Sequence, residues 1–199
     1  MRPDRLPTIH GSLEAFLVST GIVALAEMGD KTQLLSLVLA ARYRKPWPIV
    51  WGIFAATLAN HALAGALGSW VTQVLGPDVL RWVLGVSFIA MAGWMLIPDK
   101  LDEDDAKTAP RLGVFGTTLV AFFLAEMGDK TQVATVVLAA QYQAWAAVVA
   151  GTTLGMMIAN APVVWFGERI TRRVPIRLVH TIGALVFLVL GVVALLDWG

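Results

Sequence analysis

The chain has 199 residues, 57% hydrophobic and 15% charged, with a formal net charge of +1 and no cysteine. A mean hydropathy of +0.71 describes an all-α polytopic membrane protein rather than a soluble domain. The missing cysteines exclude disulfides, thiolate metal sites and cysteine nucleophiles, and the near-neutral balance gives no footing for nucleic acid.

The N-terminal stretch Met1 to Ala26 has basic residues followed by an apolar run ending Val23-Ala24-Leu25-Ala26, in the manner of a signal peptide. Mid-chain, Phe123-Leu124-Ala125-Glu126 carries the same Leu-Ala-Glu context where no signal peptidase acts. The segment therefore reads as a retained span, Leu13 to Ala41. As one helix its 29 residues would measure roughly 43 Å against a hydrocarbon core of about 30 Å. It either tilts and projects or breaks near its middle, where Gly29 stands. Arg42, Arg44 and Lys45 end it, and Pro46 and Pro48 mark the turn.

The second span, Trp47 to Leu75, is rich in small residues (Gly52, Ala55, Ala56, Ala59, Gly65, Gly68), which let helices approach closely in lipid. It also carries Thr57, Asn60 and His61. The third span is Leu80 to Ile97, with Gly85 and Gly93 eight apart. Residues 98–111 form a polar linker holding Asp99, Asp102, Glu103, Asp104 and Asp105. It reads as a solvated connector, the sharper alternative being a cation-attracting patch, and it lacks the spacing of an EF-hand.

The second half repeats the first. Leu112 to Ala140 matches Leu13 to Ala41, and Leu124–Gln132 is identical to Leu25–Gln33, with Tyr142 against Tyr43. The fifth span, Trp145 to Gly167, sets Asn160 against Asn60. The sixth, Ile176 to Leu196, has Gly183 and Gly191, again eight apart. Most tryptophans lie near span ends, as interfacial anchors do. The expected organisation is a first three-span repeat over residues 1–97, the linker 98–111, and a second three-span repeat over 112–199.

Setting aside Lys31 and Lys130, ten basic residues fall in the first, third and fifth connections and three (Arg2, Arg5, Arg81) on the other side. The positive-inside rule puts both termini outside. An odd number of spans per repeat makes the second repeat enter from the opposite face. The fold expected is thus six transmembrane helices as two inverted three-helix repeats.

One hexapeptide occurs in both halves. Glu27-Met28-Gly29-Asp30-Lys31-Thr32 recurs as Glu126-Met127-Gly128-Asp129-Lys130-Thr131, 99 residues on (27 to 126). Each charge at mid-membrane costs roughly 2.5–3.5 kcal/mol on an insertion scale, so six of them in two spans point to an ion site. On a continuous helix Glu27, Asp30 and Gln33 share a face, as do Glu126, Asp129 and Gln132. Bringing the stripes together gives four carboxylates with amide oxygens beside them, a donor set for Ca2+, Mg2+ or Mn2+. Breaks at Gly29 and Gly128 would free backbone carbonyls as further ligands.

Lys31, four residues after Glu27, is placed for a helical ion pair. It either offsets the acids or acts as a counter-ion displaced by metal, and Lys130 repeats it. Met28 and Met127 read as packing, with a thioether ligand for a softer ion as the sharper reading. Asn60 and Asn160 complete the site or bond neighbouring helices. Thr32, Thr131, Ser36 and Thr135 line a path or pack. His61 has Ala161 at its repeat position and reads as structural; His10 and His180 carry no signal.

Twin E-x-G-D-K-[ST] motifs in two three-span repeats resemble the GDT family of manganese/calcium:proton exchangers. Both motifs match without departure, and the resemblance covers residues 13 to 196. It implies six spans, cation/proton antiport, and ion binding by Glu27, Asp30, Glu126 and Asp129. The chain's brevity resembles the bacterial members, which implies a bacterial inner (plasma) membrane location. The expected function is a secondary antiporter moving Mn2+, with Ca2+ as the alternative, against protons. Its partners would be the cation, protons and the bilayer, with no prosthetic group and an oligomeric state left open. The rivals are an amino-acid exporter, a passive cation channel and, from another class, an intramembrane enzyme. No His or nucleophilic Ser beside the motifs supports the last.

Overall fold

The computed structural model describes residues 9–97, 112–167 and 175–196. The linker 98–111, and Arg169, Arg172 and Arg173 of the fifth connection, lie outside the described residues. The described residues form α1 (Ile9–Glu27), α2 (Lys31–Tyr43), α3 (Pro46–Val74), α4 (Pro77–Met95), α5 (Gly113–Glu126), α6 (Lys130–Tyr142), α7 (Trp145–Phe166) and α8 (Ile176–Leu196).

The expected first and fourth spans are both interrupted at the hexapeptide. Gly29 and Gly128 have φ of +84° and +78°, in the left-handed region that a residue bearing a Cβ enters only at a cost. Each glycine therefore ends one helix and lets the next restart, so that α1 and α2 meet at a bend of 70°. Of the two sequence alternatives, tilt or break, the chain takes the break. Proline in the first turns of α3 and α4 costs nothing there, because those N–H groups have no intrahelical partner anyway.

Among the described residues α3, α4, α7 and α8 are long and apolar enough to cross a membrane, and the bent α1–α2 pair makes a fifth candidate. The apolar α5 has only 14 residues. Many leucine, valine and tryptophan side chains are exposed, Trp47, Trp70 and Trp82 among them. Such a surface suits a hydrocarbon solvent rather than water.

Helix pairing crosses the two halves. α1 packs mainly along α7 and α5 along α3. Phe16 and Thr20 face Gly151 and Gly155, so α1 and α7 run parallel. Phe115 and Thr118 face Gly52, and Asn60 reaches Phe123 O, so α5 and α3 are also parallel. The repeat-related α3 and α7 run antiparallel. Trp47 meets Trp165 edge-to-face at 5.5 Å, while Trp145 Nε1 donates to Ala62 O at 3.2 Å. The repeat-related α4 and α8 are antiparallel too, with Gly85 against Gly191 and Leu195, and Gly183 against Met95.

Small residues set these approaches, as lipid offers no hydrophobic force between helices. A Cβ at Gly151 would meet Phe16 O at 2.5 Å, and one at Gly155 would meet Thr20 O at 2.6 Å. A Cβ at Gly93 would meet nothing within 4 Å, so of the two evenly spaced glycine pairs it alone sets no close approach. Two apolar clusters flank the breaks. One is built on Leu35, Leu39, Ile49 and Phe122, the other on Ala134, Leu138, Val148 and Phe88, and Leu35 and Leu39 stand at the repeat positions of Ala134 and Leu138.

Candidate metal centre

The two breaks place four carboxylates at helix ends inside the bundle. Glu27 is the last residue of α1 and Glu126 the last of α5, and both are fully buried. Asp30 and Asp129 precede the first residues of α2 and α6 and are also buried. Neither aspartate turns its carboxylate onto its own helix as a cap, the usual use of Asp at this position. A glutamate at a helix C-terminus meets the negative end of the macrodipole. The placement is unfavourable for folding unless a cation or a proton compensates the charge.

One threonine holds each glutamate. Thr32 Oγ1 donates to Glu27 Oε2 at 2.5 Å and Thr131 Oγ1 to Glu126 Oε2 at 2.9 Å. The other oxygen of each, Glu27 Oε1 and Glu126 Oε1, is buried with no hydrogen-bond partner among the described residues. Buried polar atoms are rarely left so, and a pair at corresponding positions marks where an ion or water belongs. Glu27, Asp30 and Asp129 each offer one oxygen within 4.8 Å of the others. Three of the four expected carboxylates therefore converge, drawn from both halves, and Glu126 stands outside this group.

The continuous stripe read from the sequence does not form, because the break interrupts the helix between Glu27 and Lys31. Gln33 Oε1 instead accepts from Gly29 N at 3.0 Å and its Nε2 donates to Ala159 O at 3.1 Å. Gln132 Oε1 accepts from Gly128 N at 2.8 Å, and its Nε2 donates to Asn60 Oδ1. Both amides tie the glycine turn to α2 or α6 and fasten it to the neighbouring long helix. The break also removes the Lys31–Glu27 helical pairing. Lys31 Nζ lies 4.0 Å from Asp129 Oδ1 in the other half. Lys130 is buried, and its Nζ donates to Ile97 O at 2.7 Å, beyond the end of α4.

The two asparagines differ. Asn160 accepts from Ser36 Oγ at 3.0 Å and its Nδ2 lies 3.4 Å from Glu27 Oε2, so it reaches a site carboxylate. Asn60 takes Gln132 and reaches Phe123 O at 3.4 Å, so it bonds helices. Thr135 Oγ1 donates to Thr131 O within its own helix. Met127 is 56% exposed, which sets its thioether outside the buried acids. His61 is fully buried with both ring nitrogens unpartnered among the described residues. His180, which sequence spacing left unmarked, places its Nε2 2.8 Å from Met28 O. No local motif could have revealed this, since the two residues sit at opposite ends of the chain.

Three buried carboxylates this close repel one another unless positive charge is supplied. A hard divalent cation or protons can supply it, and oxygen-only donors suit the former. Discontinuous helices that present buried acids inside an apolar bundle define an ion-coupled membrane transporter.

The model of the divalent cation/proton antiporter GDT1 family matches residues 15–103 and 114–198, and the chain belongs to that family. A Vibrio cholerae protein named "Putative manganese exporter" is 53% identical over 186 residues, covering 93% of this chain and 92% of that one. A GDT1-like protein of Synechocystis is 30% identical over 201 residues, covering 92% and 97%. A GDT1-like protein of Oryza sativa subsp. indica is 27% identical over 204 residues, covering 89% and 72%. No solved structure matches the chain. The family is one of transporters, which sets aside the intramembrane enzyme.

Proposed function

We propose that this protein exports Mn2+ in exchange for protons, with Glu27, Asp30 and Asp129 binding the cation and Glu126 completing the site in another state of the cycle. The convergence of those three carboxylates from two halves, with Glu27 Oε1 left for a ligand, carries the reading. Metal and protons compete for the same oxygens. Only a neutralised cluster changes which face it opens to, because a bare cluster of buried charges is costly to move through a low-dielectric interior. Gln33 and Gln132 act as positioning residues that set the two turns. Lys31 is the counter-ion that leaves Asp129 when the metal arrives.

The bundle is read as six spans, counting α1–α2 and α5–α6 as one broken span each, in two inverted repeats. The antiparallel course of α3 against α7 and of α4 against α8 supports this, as do the breaks at matching positions. Both termini then lie on the outer side of a bacterial plasma membrane. Oxygen donors of this kind suit Mn2+ and Ca2+ alike, and Mn2+ is taken as the substrate because the Vibrio relative is named "Putative manganese exporter".

The test is Mn2+ binding to purified protein by calorimetry, with Glu27→Gln, Asp30→Asn and Asp129→Asn compared with the wild type. Each is expected to lose binding while remaining folded. Undiminished binding in all three would reject the site.

A further inference from the structure

The two breaks match in sequence but not in surroundings. Gly128 has nothing within 4 Å of the place a Cβ would occupy. At Gly29 the side chain of Ile176, the first residue of α8, fills that place, with Cγ2 at 2.7 Å and Cδ1 at 2.9 Å. One turn further along α8, His180 Nε2 lies 2.8 Å from Met28 O. A carbonyl oxygen only accepts, so Nε2 carries the proton and donates it. Outside this contact a cavity of about 340 Å3 is lined by Gly29, Leu96, Ile176, Arg177, His180 and Thr181. Behind its Gly29 wall, within two residues in the chain, stand Glu27 and Asp30. Aligned on Gly85 and Gly183, the first repeat has Trp82 at the place of His180, and Trp82 is 61% exposed.

We propose that His180 and Ile176 gate the cation path at the face where α8 begins. The ring's bond to the Met28 carbonyl and the seat of Ile176 on Gly29 hold the first break against α8, and the cation reaches the cavity only when both let go. The Met28 carbonyl, released by the break from helical bonding, is held by His180 and so kept from the cation while this face is shut. His180 is thus a positioning residue, acting on the site through Met28 and Gly29. On the topology proposed above this is the cytoplasmic gate, and the proposal rests on that reading for the identity of what passes.

The chain has no cysteine, so a single one reports cleanly. Met28→Cys keeps the backbone carbonyl and is probed with a membrane-impermeant cationic thiosulfonate in inside-out vesicles, with Thr181→Cys in the cavity as the control for reagent arrival. The thiol introduced by Met28→Cys is expected to react slowly with His180 in place and roughly fivefold or more faster with His180→Ala, the scale of one lost hydrogen bond in an opening equilibrium. His180→Gln keeps an N–H donor at similar reach and is expected to restore the slow rate, which a merely space-filling ring would not require. Ile176→Ala, which uncovers Gly29 without touching the ring, is expected to speed the reaction as well, and it carries the test if His180→Ala does not fold. Unchanged rates in the alanine variants, or equal acceleration by Gln and Ala at 180, would overturn the gate. Repeating each rate with Mn2+ separates the two readings. Protection by Mn2+ with no effect of the α8 substitutions rejects the gate alone. Effects of the substitutions with no Mn2+ influence in any background reject the cation site and leave the gate standing.

Discussion

Lys31 of the first half and Asp129 of the second face each other at 4.0 Å across the junction of the two helix breaks. The pairing joins halves that the sequence presents as separate copies. It also places a cation where a metal ion would compete with it for the same oxygen. Lys31 is 19% exposed, so the pair is partly screened and its strength is moderate.

Lys31→Met is therefore expected to lower the Mn2+ concentration for half-maximal transport by about fivefold, on the scale of a ~1 kcal/mol pair. It should also slow turnover, because the metal-free cluster loses its compensating charge. Initial rates over a range of Mn2+ check both. A raised half-saturation with unchanged turnover would mean that Lys31 does not compete with the metal.

The two glutamates are expected to fail differently. Glu27 belongs to the converging trio and Glu126 does not. Glu27→Gln should cost equilibrium Mn2+ affinity more than the roughly 10–100-fold that loss of an outer-sphere partner costs. Glu126→Gln should hold Mn2+ in this state and lose turnover. Binding and transport measured on the same preparations decide it, and identical losses of binding would place both acids in one site.

At the breaks, Gly128→Ala is expected to cost about 1–2 kcal/mol for the left-handed backbone, read as a lowered Tm in detergent. Gly29→Ala should cost more, since its Cβ would press on Ile176 at 2.7 Å. Adding Ile176→Ala should recover the difference but not the backbone cost. Equal Tm losses for the two single variants would show that Ile176 does not seat there.

Metal binding should expel protons. Shared carboxylates must shed them to accept Mn2+, so binding at near-neutral pH is expected to release about one to two protons per ion. Calorimetry in buffers of different ionisation enthalpy gives the number, and Asp129→Asn should reduce it. The sign follows from competition: lowering pH on the loading side weakens apparent Mn2+ affinity. Buffer-independent heats would mean that protons and metal use different groups.

Much of this was legible because the hexapeptide is local. Glycine beside two acids inside an apolar run marked the place for a break, with a tilted helix as the alternative, and the 99-residue offset pointed to two halves on one plan. What the sequence could not show follows from the breaks themselves. Once the helix stops at Glu27, spacing rules for a continuous helix no longer place Gln33 or Lys31, and both go elsewhere. A repeat is also symmetric in sequence while any one state of a transporter is not. Nothing in the matching contexts of Asn60 and Asn160 foretells that only Asn160 reaches a glutamate. His180 meets Met28 through tertiary packing alone.

The most direct test of the exchange itself is made in proteoliposomes with an imposed pH gradient, following Mn2+, Ca2+ and internal pH together. Coupled Mn2+ uptake and opposite proton movement, abolished by Glu27→Gln and stronger for Mn2+ than for Ca2+, is the predicted result. Metal flux with no proton counterflow would contradict competition at shared carboxylates and leave a passive pathway in its place.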